Sequence, residues 1–210
     1  MNHLKMLGLA LIAAAALTAF LGAGTASATV LCENNETTGC KKDVLVEAKL
    51  DFSAEDSTAL TGPFGIVIAT CTSSTMEAEL TNTGGGSFTA LGSLTKLTFA
   101  GCNRKVTSTT TTGTLEIHQE PGTDNGTVTS NDTTVTVHEL SGIGFPDTCN
   151  YLTSNTDIGT LTAKVEGGVV RAPTFDIAAT IPTETAGCVN GTWEGHYLYT
   201  GTTPFIVGAS

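Results

Sequence analysis

Short segments in which apolar and polar residues alternate run through most of the chain. In the segment 44–52, every second residue from Val44 to Phe52 is apolar, and Glu47, Lys49 and Asp51 lie between them. This period of two is typical of a strand with one buried face. After residue 28, no window of twelve or more residues shows the helical period of 3.6. The pattern therefore predicts an all-β protein.

Glycine, proline and Asx residues separate the alternating segments, as at 61–63, 84–86, 121–126 and 167–168, and these residues favour turns. After 44–52, the predicted strands are 66–71, 76–81, 88–99, 114–118, 127–130, 133–140, 150–153, 159–166, 169–172, 175–181 and 192–200. About a dozen short strands joined by turns predict an antiparallel β-sandwich, with a β-barrel or two small β lobes as alternatives.

Residues 1–28 have the pattern of a secretory signal peptide. Lys5 precedes an apolar stretch from Leu7 to Leu21, and the small-residue sequence Ala26-Ser27-Ala28 follows. The apolar stretch is shorter than the roughly 20 residues that a membrane-spanning helix needs. We therefore expect a signal helix that is cleaved after Ala28, and a single exported domain from 29 to 210.

The charge of the chain excludes several kinds of partner. The formal net charge is −11, and removing residues 1–28, which contain Lys5 and no acid, makes it about −12. A chain this acidic has no basic patch to neutralise phosphates, so nucleic acid and anionic membrane surfaces are disfavoured as partners.

Six cysteines follow the predicted cleavage site: Cys32, Cys40, Cys71, Cys102, Cys149 and Cys188. An even number of cysteines in an exported chain predicts disulfides. The spacing of a zinc site is absent, so we expect no metal and no cofactor.

A weak internal similarity suggests how the cysteines pair. Cys71 and Cys102 flank one segment with a glycine-rich turn, and Cys149 and Cys188 flank another. If the two segments are copies of one strand–turn–strand unit, each pair closes within its own copy. Cys32 is then left to pair with Cys40.

Three short motifs carry a resemblance to known proteins. They are the residues from Thr98 to Cys102, the sequence Cys149-Asn150-Tyr151, and the aromatic residues from Trp193 to Tyr197. In these motifs and in its signal-peptide pattern, the chain resembles uncharacterised exported all-β proteins of high-GC bacteria. The resemblance implies secretion and a β-rich fold, and it implies no activity.

Two histidines on predicted strands are the best candidates for a catalytic metal site. If the strands that carry His118 and His138 pair, Glu116 or Glu139 could complete a set of three ligands. Solvated or hydrogen-bonded histidines on strand faces are the alternative. This group of residues would support an exported hydrolase.

Oxygen-bearing side chains offer two weaker possibilities. Glu77 and Glu79 project to the same side of a strand, as a glycosidase could require, although they also suit a solvent-facing charged surface. The sequences 124–126 and 131–132 could bind calcium, but turn formation explains the same residues.

The aromatic residues near the C-terminal end could form a ligand platform. Strand alternation places Trp193, Tyr197 and Tyr199 on one face. That face could stack on sugar rings, or it could be the core side of the last strand.

The sequence therefore predicts a secreted protein that is not an enzyme. We expect it to bind cell-envelope polysaccharide or another surface protein, or to be structural, at the cell surface or outside the cell. The alternative is an exported hydrolase, either a glycosidase or a metal-dependent enzyme that uses His118, His138 and Glu139.

Overall fold

The computed structural model describes residues 28–33, 43–85, 89–109, 113–166 and 169–209. The predicted signal peptide up to residue 27 and Cys40 lie outside these ranges. The described residues form the strands β1 (Thr29–Cys32), β2 (Lys49–Ala54), β3 (Thr58–Thr61), β4 (Val67–Asn82), β5 (Ala90–Cys102), β6 (Val106–Thr109), β7 (Thr114–Gln119), β8 (Gly126–Asn131), β9 (Thr134–His138), β10 (Thr148–Leu152), β11 (Thr156–Glu166), β12 (Val169–Ile181), β13 (Gly191–Tyr199) and β14 (Ile206–Ala209). Single 3-10 turns lie at Pro63–Gly65 and Ser141–Ile143. The described ranges contain no α-helix, so the all-β prediction is confirmed.

Eight antiparallel strands form a closed barrel in the order β12-β11-β8-β7-β5-β4-β2-β13, and the pairing of β13 with β12 closes it. The predicted sandwich is not confirmed, because the main sheet closes on itself. A barrel was the alternative. The hairpins β4–β5 and β11–β12, one from each cysteine-flanked segment, belong to this same sheet.

One barrel position is filled by two strands in succession. Both β2 and β3 pair with β4 on one side and β13 on the other. The chain leaves the ladder at residues 55–57, between the two strands. This interruption brings Glu55 to the outer surface, where its backbone N–H donates to the His196 carbonyl at 3.0 Å.

The first and last described strands close one end of the barrel, called the turn end because the β4–β5, β7–β8 and β11–β12 turns lie there. At this end β1 pairs with β14 over four residues, from Thr29 opposite Ala209 to Cys32 opposite Ile206. The Thr29 hydroxyl accepts a hydrogen bond of 2.8 Å from the Gln119 N–H of β7. The two-stranded sheet is thus fixed to the barrel wall.

A three-stranded sheet in the order β10-β9-β6, called the lid sheet, covers the other end, called the lid end. The Cys71–Cys102 disulfide joins β4 to β5 just before the chain enters β6. The Cys149–Cys188 disulfide ties β10 to the loop between β12 and β13. Both predicted pairings are confirmed, and the pairing of Cys32 with Cys40 stays a prediction.

The predicted strand 44–52 is wrong in its first half. Strand β2 begins at Lys49, and the chain turns at Val46 and Glu47, where Glu47 has a φ of 71°. The Ala48 N–H closes the turn by donating to the Leu45 carbonyl at 3.1 Å. Val46 is therefore exposed, whereas alternation resumes with Leu50 and Phe52 facing the core.

Candidate functional site

The aromatic face of β13 points into the barrel. Trp193, Tyr197 and Tyr199 are at most 7% exposed. Trp193 packs edge-to-face on Phe99 with ring centroids 4.9 Å apart, and Tyr199 packs in the same way on Phe205 at 5.2 Å. These rings cannot stack on a ligand at the protein surface, so the suggested surface platform is wrong and the core alternative is correct.

The two candidate metal-binding histidines do not meet. His118 lies on β7 near the turn end, where its Nε2 is 3.6 Å from Oε2 of Glu116. His138 lies at the end of β9 in the lid sheet, with its ring nitrogens 3.3 Å from the hydroxyls of Thr107 and Thr148. Across the described residues, no three His, Cys, Asp or Glu side chains are grouped so that they could hold a metal ion. The geometry matches the alternative of histidines on strand faces, hydrogen-bonded at His138 and exposed to solvent at His118.

The carboxylates of β4 lie in a ladder of opposite charges on the outside of the barrel. Glu77 Oε1 is 2.5 Å from Lys96 Nζ on β5. Glu79 is the register partner of Lys49 on β2. Cross-strand pairs of opposite charge stabilise a sheet modestly, so the ladder fits a solvated surface rather than a pair of catalytic acids.

The predicted oxygen ligands for calcium lie at opposite ends of β8. The Asn125 side-chain carbonyl accepts a hydrogen bond from the Ala163 N–H, at 3.0 Å. The Asn131 side-chain carbonyl accepts one from the Asn155 N–H, at 3.3 Å. The two groups fix separate turns and do not share a site.

Sequence reasoning missed a charged cluster around His196 on the outer barrel surface. His196 Nδ1 makes a short hydrogen bond with Asp176 Oδ1 of β12, and its Nε2 is 3.4 Å from Glu55 Oε2. The hydrogen bond with Asp176 raises the pKa of His196 above its ordinary value. The alternating side chains of β12 and β13 could have indicated the Asp176 contact, whereas Glu55 reaches the histidine only because β2 and β3 are interrupted.

The most unusual surface feature is the connection between β3 and β4 together with the first residue of β4, called the Phe64 loop and comprising residues 62–67. Its sequence, Gly-Pro-Phe-Gly-Ile-Val, contains no polar side chain. The residues from Pro63 to Val67 are all exposed, and Phe64 is fully exposed. Four or more consecutive exposed apolar residues are rare on a soluble protein without a function. Sequence analysis predicted a turn at 61–63 and a strand at 66–71, and it did not single out Phe64 between them.

Two hydrogen bonds fix the backbone at the base of the Phe64 loop. The Gly62 N–H donates to the Ile66 carbonyl at 2.7 Å, and the Arg104 guanidinium donates to the Ile68 carbonyl at 2.9 Å. Phe64 itself has φ 60° and ψ 21°, in the left-handed region that a bulky residue rarely adopts. The backbone is therefore strained at a residue whose exposed ring contributes nothing to the core.

Comparison with protein-family models, with curated proteins and with solved structures gives no match. Among the described residues, no helix has the length and apolar character needed to cross a membrane. The two disulfides are consistent with an extracellular protein.

Proposed function

We propose that this chain is an exported, non-catalytic binding protein that attaches to another protein at the cell surface or outside the cell through its Phe64 loop. The observation that carries the proposal is the full exposure of Phe64 at the tip of a fixed, wholly apolar loop. Export is supported by the signal-peptide pattern of residues 1–28 and agrees with the two disulfides.

The chemistry of the loop favours a protein partner over a polysaccharide. Sugars are recognised by aromatic stacking together with hydrogen bonds to their hydroxyls, and residues 62–67 offer no polar side chain for such bonds. A protein pocket, in contrast, gains mainly from burying an aromatic ring and aliphatic neighbours. Ile66 and Val67, 39% and 45% exposed, extend the apolar surface beside Phe64.

The loop also has the stiffness that tight contacts require. Its base is hydrogen-bonded from Gly62 to Ile66, and Arg104 bonds to the adjoining Ile68, so the loop backbone loses little conformational freedom when a partner covers it. The guanidinium of Arg104 is half-buried beneath the loop and does not compete with the apolar tip for the partner.

The test is co-sedimentation of the oxidised domain 29–210 with purified cell envelope. The variant Phe64→Asn removes the ring and keeps the backbone, because asparagine tolerates a positive φ. The matched control is Leu198→Asn, which removes another exposed apolar side chain from the outer face of β13. We expect saturable pelleting of the wild type and the control, and a loss of at least tenfold in affinity for Phe64→Asn.

Treating the envelope with a protease identifies the class of partner. Loss of pelleting after proteolysis supports a protein partner. Pelleting that survives proteolysis and is retained on purified envelope polysaccharide would overturn the protein assignment. Equal pelleting of Phe64→Asn and wild type would overturn the role of the loop itself.

A further inference from the structure

A cavity of about 50 Å³ lies inside the lid end of the barrel, between the barrel wall and the lid sheet. Its lining includes Leu97, Phe99, Ile158 and Trp193 from the barrel, and Val135 and Tyr151 from the lid sheet. The cavity is therefore bounded by two separate sheets rather than by neighbouring strands of one sheet.

The hydroxyl groups near the cavity bond to one another. Ser130 Oγ lies 3.2 Å from Thr133 Oγ1 and 3.0 Å from Thr153 Oγ1, and Thr153 Oγ1 also accepts a hydrogen bond from the Thr133 N–H. The Tyr197 hydroxyl donates a hydrogen bond to Ser74 Oγ. A water molecule needs two to four polar partners to be stable in a protein interior. Four hydroxyls among the lining residues, those of Ser130, Thr133, Thr153 and Tyr197, already bond to protein groups, so the site favours an apolar occupant.

We propose that this cavity is a binding site for a small uncharged hydrocarbon group, such as the end of an alkyl chain. Its volume is about a third of the roughly 150 Å³ engineered cavity that holds a benzene ring, so the unaltered protein takes a smaller group than benzene. This site lies in the interior and is distinct from the Phe64 loop.

One disulfide attaches the lid sheet to the barrel, and the other lies within the barrel wall beside the start of the lid sheet. Cys149–Cys188 fixes β10, which carries Tyr151, to the β12–β13 loop. Cys71–Cys102 fixes the end of β5 just before the chain enters β6. A group that enters between the two sheets must pass these attachments, so we expect entry to be slow in the oxidised protein and faster when the disulfides are reduced.

The test uses xenon as a small apolar probe. Binding of xenon to the full domain 29–210 is monitored by methyl NMR. We expect saturable shifts of the Val135 and Ile158 methyl signals, and no shift of Val207, a buried residue at the turn end. Absence of saturable shifts at Val135 and Ile158, or equal shifts at Val207, would overturn the site.

Enlarging the cavity gives an independent readout. Ile158→Ala should admit benzene, so that saturating benzene raises the Tm of this variant. The Tm of wild type and of the exposed control Ile143→Ala should not change. If benzene leaves all three proteins unaffected, or stabilises all three equally, the cavity is not the binding site.

Discussion

The hydroxyl of Tyr197 donates a hydrogen bond of 3.0 Å to Ser74 Oγ across the interior of the barrel. Tyr197 is fully buried, and burial raises the pKa of its phenol above the ordinary value. The bond links β13 to β4, which are separated in the sheet by the interrupted β2–β3 strand.

Removing this hydroxyl should destabilise the barrel. Tyr197→Phe leaves the buried Ser74 hydroxyl without this donor, and we expect a loss of about 1–2 kcal/mol in the free energy of unfolding, measured in urea. The double variant Tyr197→Phe/Ser74→Ala removes both partners and should be more stable than the sum of the single effects predicts. Strict additivity would show that the two hydroxyls do not interact.

Phe64 should be dispensable for folding. Its side chain makes no buried contact and its φ is 60°, so Phe64→Gly relieves the left-handed conformation. We expect the free energy of unfolding to stay the same or rise by up to about 1 kcal/mol. A loss of more than about 1 kcal/mol would show that the ring packs against the protein and is not available to a partner.

The stability of the barrel should depend on the protonation of His196. Its folded-state pKa is raised, first by the hydrogen bond with Asp176 and also by the nearby charges of Asp176, Glu55 and Asp56. The stabilisation is therefore fully present below the unfolded-state pKa of about 6.5, and it is lost as the pH rises through the higher folded-state pKa.

Thermal unfolding between pH 5.5 and pH 9 tests this dependence. The wild type should lose stability relative to His196→Gln as the pH rises, because glutamine does not titrate. The effect should shrink in high salt, since the cluster is largely exposed. An imidazole that titrates in NMR at or below its ordinary pKa would contradict the prediction.

Each disulfide should contribute substantially to stability. The bonds close segments of 31 and 39 residues, which the chain-entropy model values at roughly 3.7 and 3.9 kcal/mol. We expect Cys149→Ser/Cys188→Ser to lose about 2–4 kcal/mol and to expose Tyr151, which the lid sheet holds in the core. Unchanged Tm after complete reduction and alkylation would refute this expectation.

Local patterns predicted most of the barrel strands, and long-range pairing explains what they could not predict. The alternation of Leu50, Phe52 and the aromatic residues of β13 gives one buried face in a sandwich and in a barrel alike. Only the pairing of β12 with β13 distinguishes a barrel from a sandwich. The alternation within each of these strands does not show that they pair with each other.

Three of the strands that cover the barrel ends, β1, β6 and β14, were hidden for related reasons, whereas β9 and β10 were predicted as 133–140 and 150–153. Each of β1, β6 and β14 has only four residues, and all four residues of β1 are buried, so alternation is absent. The first part of the predicted strand 44–52 is wrong because Glu47 adopts a positive φ, a conformation that a glutamate in the sequence does not predict. The candidate site was missed because glycine and proline mark a turn without showing whether its apolar residues fold inward.

The pairing of β1 with β14 also sets the order in which the barrel can be completed. A ribosome makes residues 29–32 long before residues 206–209, so β1 lacks its partner strand β14 until nearly the entire chain has been synthesised. The side of this strand that later pairs with β14 is meanwhile open to other chains, and open strand edges are the kind of segment that binds chaperones or aggregates. Closure of the turn end is thus a late step of folding, and a chain truncated before residue 206 cannot complete it.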